Sequence, residues 1–427
     1  MQHTAVDIKN FFEEDGTLHE GKLLHFYRKK VMAWTNAQTL TDLYNEFMNE
    51  GEEVSVRWIQ RMEKKHDLPP DAKRRWILAT LLSIPSTYLG LTLPEPRQPG
   101  SDTFHLPLSA HTPVLDLAAY KKRLREIWSA PYAVLDEVFR RVYLLQEEVL
   151  YGETQPKEDV VSLLCEYLLV AGNIQRAQGY LSSAMVCLNK AITLMKGIQN
   201  PALRVKVLYV RGFVFFDMWG IQQDRADQTN LLHAVNDFSG AYGEIREAKQ
   251  QKHGVSQPLQ GAVCAELGLA SAYTARDGKD RKHALDLIDT TGKMVAGKDF
   301  HDDPYFLHVN EEWYTIDKAE AYLALRWPKS ALNILEEITP TSPTRQRYVY
   351  ADILEARANI ACDRLEIGTI CAEEALAALA TNRSTTFLTL LAHMYTALKQ
   401  ERKYTKSPDV ARLGVKLLQV QHPELFV

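Results

Sequence analysis

The sequence predicts an all-α protein: a small N-terminal bundle, a proline-rich linker and a C-terminal array of helical hairpins. Three observations predict it. Apolar residues recur at spacings of three and four along most of the chain, and the alternation of a half-buried strand is scarce. Five of the 18 prolines (Pro94, Pro96, Pro99, Pro107 and Pro113) fall between Thr92 and Val114. Proline has no amide donor and blocks a helix, so that stretch is extended and partly stiff. Beyond it, small residues return with a period of about 34–45 residues, the mark of stacked repeats.

Composition sets the class. The 427 residues suffice for two or three domains at about 150 residues each. An apolar share of 46% and a charged share of 24% are ordinary for a globular protein and exclude bulk disorder, collagen and a disulfide scaffold. No stretch reaches about 18 uninterrupted apolar residues, so no membrane partner is expected. Residues 1–10 lack the charged start and apolar run of a secretory signal. The five cysteines (Cys165, Cys187, Cys264, Cys362 and Cys371) form no C-x-x-C pair. Scattered thiols in odd number fit a reducing, cytoplasmic compartment, and each reads as a small buried helical residue.

Charge is uneven. Between Lys22 and Trp76 eleven Lys/Arg stand against eight Asp/Glu, so this segment is +3 in a chain of formal charge −4. A basic module on an acidic body points to a polyanion contact.

The elements follow in order. Residues 1–21 read as an N-terminal arm. Leu23 to Trp34 predicts a basic amphipathic helix. Thr35 is a good N-cap for a second, Asn36 to Met48, with Ala37, Leu40, Leu43, Tyr44 and Phe47 inside. Ser55 caps a third, Val56 to Glu63, with Ile59 and Met62 inward and Val56, Arg57, Gln60 and Arg61 outward. Trp58 falls between the two faces. Glu63 finds its partner in Arg28 or Lys29. After Pro69-Pro70 a fourth helix runs from Asp71 to Leu82, and Ile84, Tyr88 and Leu89 close the small core. The linker 92–114 comes next, and the domain from 115 to 427 is helical in pattern. Its first stripe is Leu135, Val138, Phe139, Val142, Leu145 and Val149.

Residues 22–91 resemble a known family. Val54-Ser55-x-x-x-Ile59-x-x-x-Glu63 resembles the recognition-helix signature of Cro/λ-repressor (XRE) regulators. Trp34-Thr35 followed by Leu40 resembles that family's second-helix start. Leu78-Ala79-x-x-Leu82-x-Ile84-Pro85-x-x-x-Leu89-Gly90-Leu91 resembles its fourth and fifth helices. The resemblance implies a helix-turn-helix domain binding double-stranded DNA. Asn36 stands where the family usually has Gln, and the segment from Leu40 to Val54 is longer than the family's and acidic (Glu46, Glu50, Glu52, Glu53). A short helix in the major groove presents side chains to base edges. The base-reading candidates are Ser55, Val56, Arg57, Gln60 and Arg61. The phosphate candidates are Lys29, Lys30, Thr35, Asn36, Gln38, Lys64 and Lys65, which would give affinity and salt dependence.

The body resembles tetratricopeptide (TPR) repeats over about residues 150–425. Each unit has a small residue in a first helix, an Ala about twelve positions later in a second helix, and an apolar residue four after that. The copies are Ala171-Gly172 with Ala184 and Leu188, Gly212 with Ala234 and Phe238 (with about ten extra loop residues near Gln222 to Gln228), and Ala272 with Ala284 and Ile288. Ala319 with Ala331 and Leu335, Ile360 with Ala372 and Leu376, and a frayed copy from Thr385 to Gln421 complete the series. Small residues let paired helices approach, and stacked pairs make a TPR-like α-solenoid with a concave surface; a generic array of α–α hairpins is the rival reading. The resemblance implies a groove for a peptide or protein segment. Its candidates are Asn173, Arg176, Tyr209, Arg211, Tyr273, Asn310, Tyr314 and Asn359, whose amides and guanidinium groups suit an extended backbone or a carboxylate.

Catalytic patterns are weak. Gly292-x-x-x-x-Gly297-Lys298 is followed by Asp299 rather than the Ser/Thr of a phosphate loop, and His301-Asp302-Asp303-Pro304 reads as a polar inter-repeat loop. No G-x-S-x-G and no His-Glu-x-x-His occurs. No enzyme, cofactor or metal is expected. Cys362 and Cys371, nine apart, are expected on different helix sides.

The expectation is a regulator similar to bacterial peptide-sensing proteins that join an XRE-type module to TPR repeats, with a homodimer interface on the repeats. An effector in the groove would change the superhelix pitch and re-space two DNA-binding modules over half-sites about 34 Å apart. The alternative is a non-catalytic scaffold that uses the bundle for protein contacts. The acidic segment before Val54 favours the scaffold, and the basic outer face of the third helix favours the regulator.

Overall fold

A computed structural model describes residues 11, 19–49, 51–65, 68–91, 115–129, 135–151, 156–221, 227–251, 254–297, 309–338, 346–382 and 385–426. These residues are all-α, with eighteen helices and no strand among them. The linker 92–114, most of the arm 1–21, Lys298 and the His301–Pro304 stretch lie outside the described residues. In chain order the first helices are α1 (Glu20–Phe26), α2 (Ala37–Asn45), α3 (Val56–Lys65), α4 (Ala72–Leu82), α5 (Leu117–Ser129) and α6 (Leu135–Tyr151). Next come α7 (Lys157–Ala177), α8 (Leu181–Leu194), α9 (Pro201–Gly220), α10 (Thr229–Gln250), α11 (Gln257–Thr274) and α12 (Gly278–Val295). The last are α13 (Glu311–Ala324), α14 (Pro328–Leu335), α15 (Gln346–Ala361), α16 (Leu365–Asn382), α17 (Thr385–Gln400) and α18 (Pro408–Gln421).

The chain forms two compact units. The first gathers Met1–Thr103, Arg364–Thr381 and Leu391–Val427, and the second gathers Phe104–Asp363 and Asn382–Leu390. The sequence predicts a single repeat domain from residue 115 to 427. The structure instead gives the last helices to the unit of the N-terminal bundle.

Within the first unit, α1 to α4 close over Leu23, Leu24, Leu40, Tyr44, Ile59, Met62 and the run from Trp76 to Leu82. The expected helix from Leu23 to Trp34 is divided. α1 stops at Phe26, a wider π-helical turn covers Tyr27–Val31, and Ala33 takes a left-handed φ of 58°. The wide turn carries both Tyr27 and Arg28 into the interior. The second helix starts one residue later than expected. Asn36, not Thr35, is its cap, with the side chain accepting from the Gln38 amide at 3.0 Å, and the Thr35 carbonyl accepts from Arg28 instead. Asn45 ends α2 and closes the acidic loop. Its side chain donates to the Val54 carbonyl and accepts from the Val54 amide, at 3.0 and 2.9 Å. α3 starts at Val56 as expected, with the Ser55 carbonyl accepting from Trp58. Asp71 caps α4 through the Lys73 amide, and Ser83 ends it at φ 58°.

α18 completes this core. Ala411, Val415 and Leu418, at helical spacing, join the cluster of the N-terminal helices. Arg412 Nε donates to Glu373 of α16 at 2.8 Å, Lys416 Nζ to the same carboxylate at 2.6 Å, and Trp34 Nε1 to the Lys406 carbonyl at 3.0 Å.

The second unit is a series of antiparallel hairpins: α7 with α8, α9 with α10, α11 with α12, and α13 with α14. Their first helices also meet in succession, α7 on α9, α9 on α11, α11 on α13 and α13 on α15. The repeated small residues explain the close pairing. A Cβ on Gly172 would press on Leu188, and one on Gly212 on the Phe238 ring. In the third hairpin Ala272 shares a core cluster with Ala284 and Ile288, and a Cβ added to Gly268 would lie 2.9 Å from the Ala284 carbonyl and 3.2 Å from the Ile288 amide. Backbone on the far side cannot yield, so Gly268→Ala is expected to cost about 1–3 kcal/mol, read as a lower Tm of the full chain. On α6 the expected stripe is buried at Val138, Val142 and Leu145, whereas Phe139 is 37% exposed. Cys362 follows α15 and Cys371 lies on α16, so different helices separate them, with Asp363 between at φ 62°. Cys165, Cys187, Cys264 and Cys371 are buried and Cys362 is half-buried, and none of them forms a disulfide. Burial pushes the Cys187 and Cys264 thiols up to about 11, so both stay protonated at neutral pH.

Candidate functional site

Two features stand out, one in each unit. In the first unit it is the outer face of α3. Arg57, Gln60, Arg61, Lys64 and Lys65 are exposed on it, and Lys29 and Lys30 are exposed on the π turn of the preceding helical segment. The only acid of α3, Glu63, is turned inward. Its carboxylate accepts from Arg28 Nε at 2.5 Å and Nη2 at 2.8 Å, and lies 2.8 Å from His25 Nδ1. Arg28 also donates Nη1 to the carbonyls of Trp34 and Thr35, at 2.6 and 3.1 Å. Of the two partners left open for Glu63, Arg28 is therefore the one used. The exposed side of α3 carries four cations and no anion.

Burial raises the Glu63 carboxyl, but the hydrogen bonds and charges of Arg28 and His25 outweigh it and hold the group below the usual carboxylate range. A carboxyl depressed in the folded state stabilises fully above its unfolded value of about 4.3 and loses that contribution as pH falls through the folded value. The first unit is therefore expected to lose stability below about pH 4.3. Glu63→Gln should flatten that acid limb in urea melts run at several pH values.

The remaining candidates on this unit sort by role. Val56 is half-buried against the core rather than outward, because α3 turns its first apolar residue toward the bundle. Trp58 packs beside Tyr44, ring centroids 5.6 Å apart, which resolves its face toward the core. Ser55 and Thr35 are exposed. Asn36 is spent as a cap and Gln38 donates to Asp42 at 2.6 Å, so both side chains are engaged within α2. Glu46, Glu52 and Glu53 are exposed around the loop before α3.

In the second unit a cavity of about 300 Å3 is lined by α7, α9, α11, α13, α15 and the first residues of α17. Its lining positions repeat at helical spacing: Phe213, Phe216, Asp217 and Gly220 on α9, and Trp313, Asp317 and Glu320 on α13. One face of each first helix is therefore turned to it. Arg176 stacks on Phe213 at 4.7 Å and lies 3.5 Å from Asp217. Tyr273 donates to Glu320 at 2.8 Å, and Arg357 Nη2 donates to Tyr273 Oη at 3.4 Å. Burial lifts the Asp217 carboxyl above its ordinary range, Glu320 adds to the lift, and Arg176 opposes it.

Of the eight predicted groove residues, Arg176 and Tyr273 line this cavity. The other six do not. Tyr209 is core, packed on Phe213 and Phe238. Arg211 is held by both Asp237 oxygens and by Asn189, which fixes α9 to α8 and α10. Asn310 caps α13 through the Trp313 amide. Tyr314 meets Asp289 and Lys318. Asn359 is 3% exposed and donates to the Glu355 carbonyl of its own helix. Asn173 is half-buried outside the lining. Sequence reasoning missed Asp217, Glu266, Asp317, Glu320 and Arg357. Their signal was a charge at the same helical phase as aromatic residues on successive first helices.

Among the described residues no group of three or more His, Cys, Asp and Glu is placed to hold a metal, and no helix is long and apolar enough to cross a membrane. Neither a family model, nor a curated protein, nor a solved structure matches the chain.

Proposed function

We propose that the chain is a DNA-binding transcriptional regulator whose second unit, a TPR-like set of hairpins, binds an effector that controls DNA binding. One observation carries the reading. α3 withdraws its single acid into a buried pair with Arg28 and leaves an outer face of Arg57, Arg61, Lys64 and Lys65 around Gln60. In this reading α3 enters the major groove, where Arg57, Gln60 and Arg61 meet base edges. Lys29, Lys30, Lys64 and Lys65 meet phosphates. A regulator of this kind works in the cytoplasm, as a monomer or a homodimer, and the effector is a peptide or protein segment. The test is duplex binding at two salt concentrations. Affinity that falls with salt, and falls further on Arg57→Ala/Arg61→Ala, supports the reading. Wild-type affinity in that variant overturns it.

A scaffold remains the second reading, because the exposed acids Glu52 and Glu53 flank the start of α3 and repel phosphate. Neutralising both to Gln strengthens duplex binding if DNA is the partner and leaves it absent if it is not.

A further inference from the structure

A further cavity of the second unit, about 350 Å3, lies where the turn from α11 to α12 meets the end of α13. Three arginines line it: Arg276 in that turn, Arg281 near the start of α12, and Arg326 just after α13. Among the described residues that line it there is no Asp or Glu. None of the three guanidinium groups has an ion pair or hydrogen bond with another described residue. The acids nearest in sequence are engaged by the backbone. Asp277 caps α12, accepting from the Lys279 and Asp280 amides at 2.8 and 2.9 Å, and Asp280 accepts from the Arg276 amide at 3.1 Å.

Two arguments say that the arginines are there for an anion. The first is charge. α11 and α13 both end at this cavity, and each helix C-terminus carries about half a negative charge. The two ends thus bring about one negative charge against three positive ones, and the helices alone leave the cluster self-repelling. The second is Arg326 itself. Its φ of 64° lies in the left-handed region, where glycine is the ordinary residue after a helix. The turn is a regular helix stop, with the Trp327 amide donating to the Tyr322 carbonyl at 2.8 Å and the Arg326 amide to the Leu323 carbonyl at 3.0 Å. Glycine would make that turn with less strain, so the turn does not explain an arginine, whereas an anion in the cavity does.

We propose that this cavity binds a small phosphate monoester through its phosphate group. Guanidinium forks donate in pairs to phosphate oxygens, and three of them surround a dianion from three segments of the chain. The Gln228 amide, in the same lining, donates to a further oxygen of the ester. A volume of about 350 Å3 is that of a small-molecule site. The proposal goes beyond the reading of the second unit as the half that takes a peptide, and it does not depend on DNA contact by α3.

Calorimetry on the full chain at low ionic strength tests it, with glycerol 3-phosphate, inorganic phosphate, glycerol and the capped tripeptide acetyl-Gly-phosphoserine-Gly-amide as probes. Glycerol 3-phosphate and inorganic phosphate are expected to bind and to compete with each other, and glycerol not to bind. Arg276→Gln and Arg281→Gln are each expected to weaken glycerol 3-phosphate at least about tenfold. Arg326→Gly is expected to weaken it to the same degree while the melting temperature without ligand holds or rises, because glycine relieves the left-handed turn. An arginine that only steadies the helix end would give the reverse, a lower melting temperature and unchanged affinity. The proposal is overturned by that reverse pattern, by no binding of either phosphate probe, or by full affinity in all three variants. A tripeptide that binds more tightly than glycerol 3-phosphate overturns the assignment to a small molecule and makes the site one for a phosphopeptide. Duplex binding by the same variants is measured in parallel and is expected to match wild type. A loss there would make these arginines DNA contacts and overturn the proposal, whereas absence of duplex binding in the wild type removes only the regulator reading.

Discussion

Arg57→Ala/Arg61→Ala is expected to remove most of the affinity for duplex DNA while the protein remains folded. Both side chains are exposed on α3, whose core contacts are made by Ile59 and Met62. Truncating exposed side chains touches little of what holds the bundle. An arginine that forks onto a guanine edge is worth about 1–3 kcal/mol of discrimination. The pair together is therefore expected to cost about 2–6 kcal/mol, from roughly 30-fold to roughly 20,000-fold in Kd. Lys64→Ala/Lys65→Ala behaves differently if these residues meet phosphate. It weakens binding to all duplexes alike and lowers the slope of log K against log salt by about two. Electrophoretic or anisotropy titrations of both variants on selected and random duplexes separate the two roles. Equal losses on every sequence by the arginine variant would make α3 a phosphate contact only.

The parts of the fold legible in sequence were those fixed within a few residues. The start of α3 after Ser55, the start of α4 after Pro69-Pro70, and the burial of Ile59 and Met62 follow from local spacing and side-chain chemistry. The Gly172–Leu188 and Gly212–Phe238 contacts were also legible, because a hairpin fixes which positions face each other. What joins the first unit was not. Ala411, Val415 and Leu418 form an ordinary apolar stripe, and a stripe does not say which surface it covers. Nothing local marks a partner more than 300 residues earlier in the chain.

The cavity was half legible for a geometric reason. Candidates on the first helices divide by their phase around the helix. Arg211 lies two residues before Phe213 and Asn359 two after Arg357, which is about 200° around a helix. Each therefore points away from the cavity that its neighbour lines. Asp317 and Glu320 sit at the same phase as Trp313, yet a charge in a helix reads as solvent-facing until the neighbouring helices are placed.

The largest effect on stability is expected from Arg28→Ala. Arg28 is 2% and Glu63 8% exposed, and four hydrogen bonds from the guanidinium tie Glu63 of α3 to the carbonyls of Trp34 and Thr35 before α2. Removing one partner of a buried pair leaves the other charge uncompensated, at a cost of about 3–5 kcal/mol. Glu63→Leu strands Arg28 in the same way. Replacing both, Arg28→Met/Glu63→Leu, removes the stranded charge and is expected to recover most of that loss. The recovery stops short of complete because two carbonyls lose their donor, each worth about 1 kcal/mol. The pattern to look for is thus two costly single variants and a milder double, in urea unfolding of the full chain followed by tryptophan emission, to which Trp34, Trp58 and Trp76 of this unit contribute. If the double variant is as unstable as the sum of the singles, the pair is not coupled. The inward turn of Glu63 would then be a consequence of helix packing and not of its bond to Arg28, and the cation-only face of α3 would survive loss of Arg28.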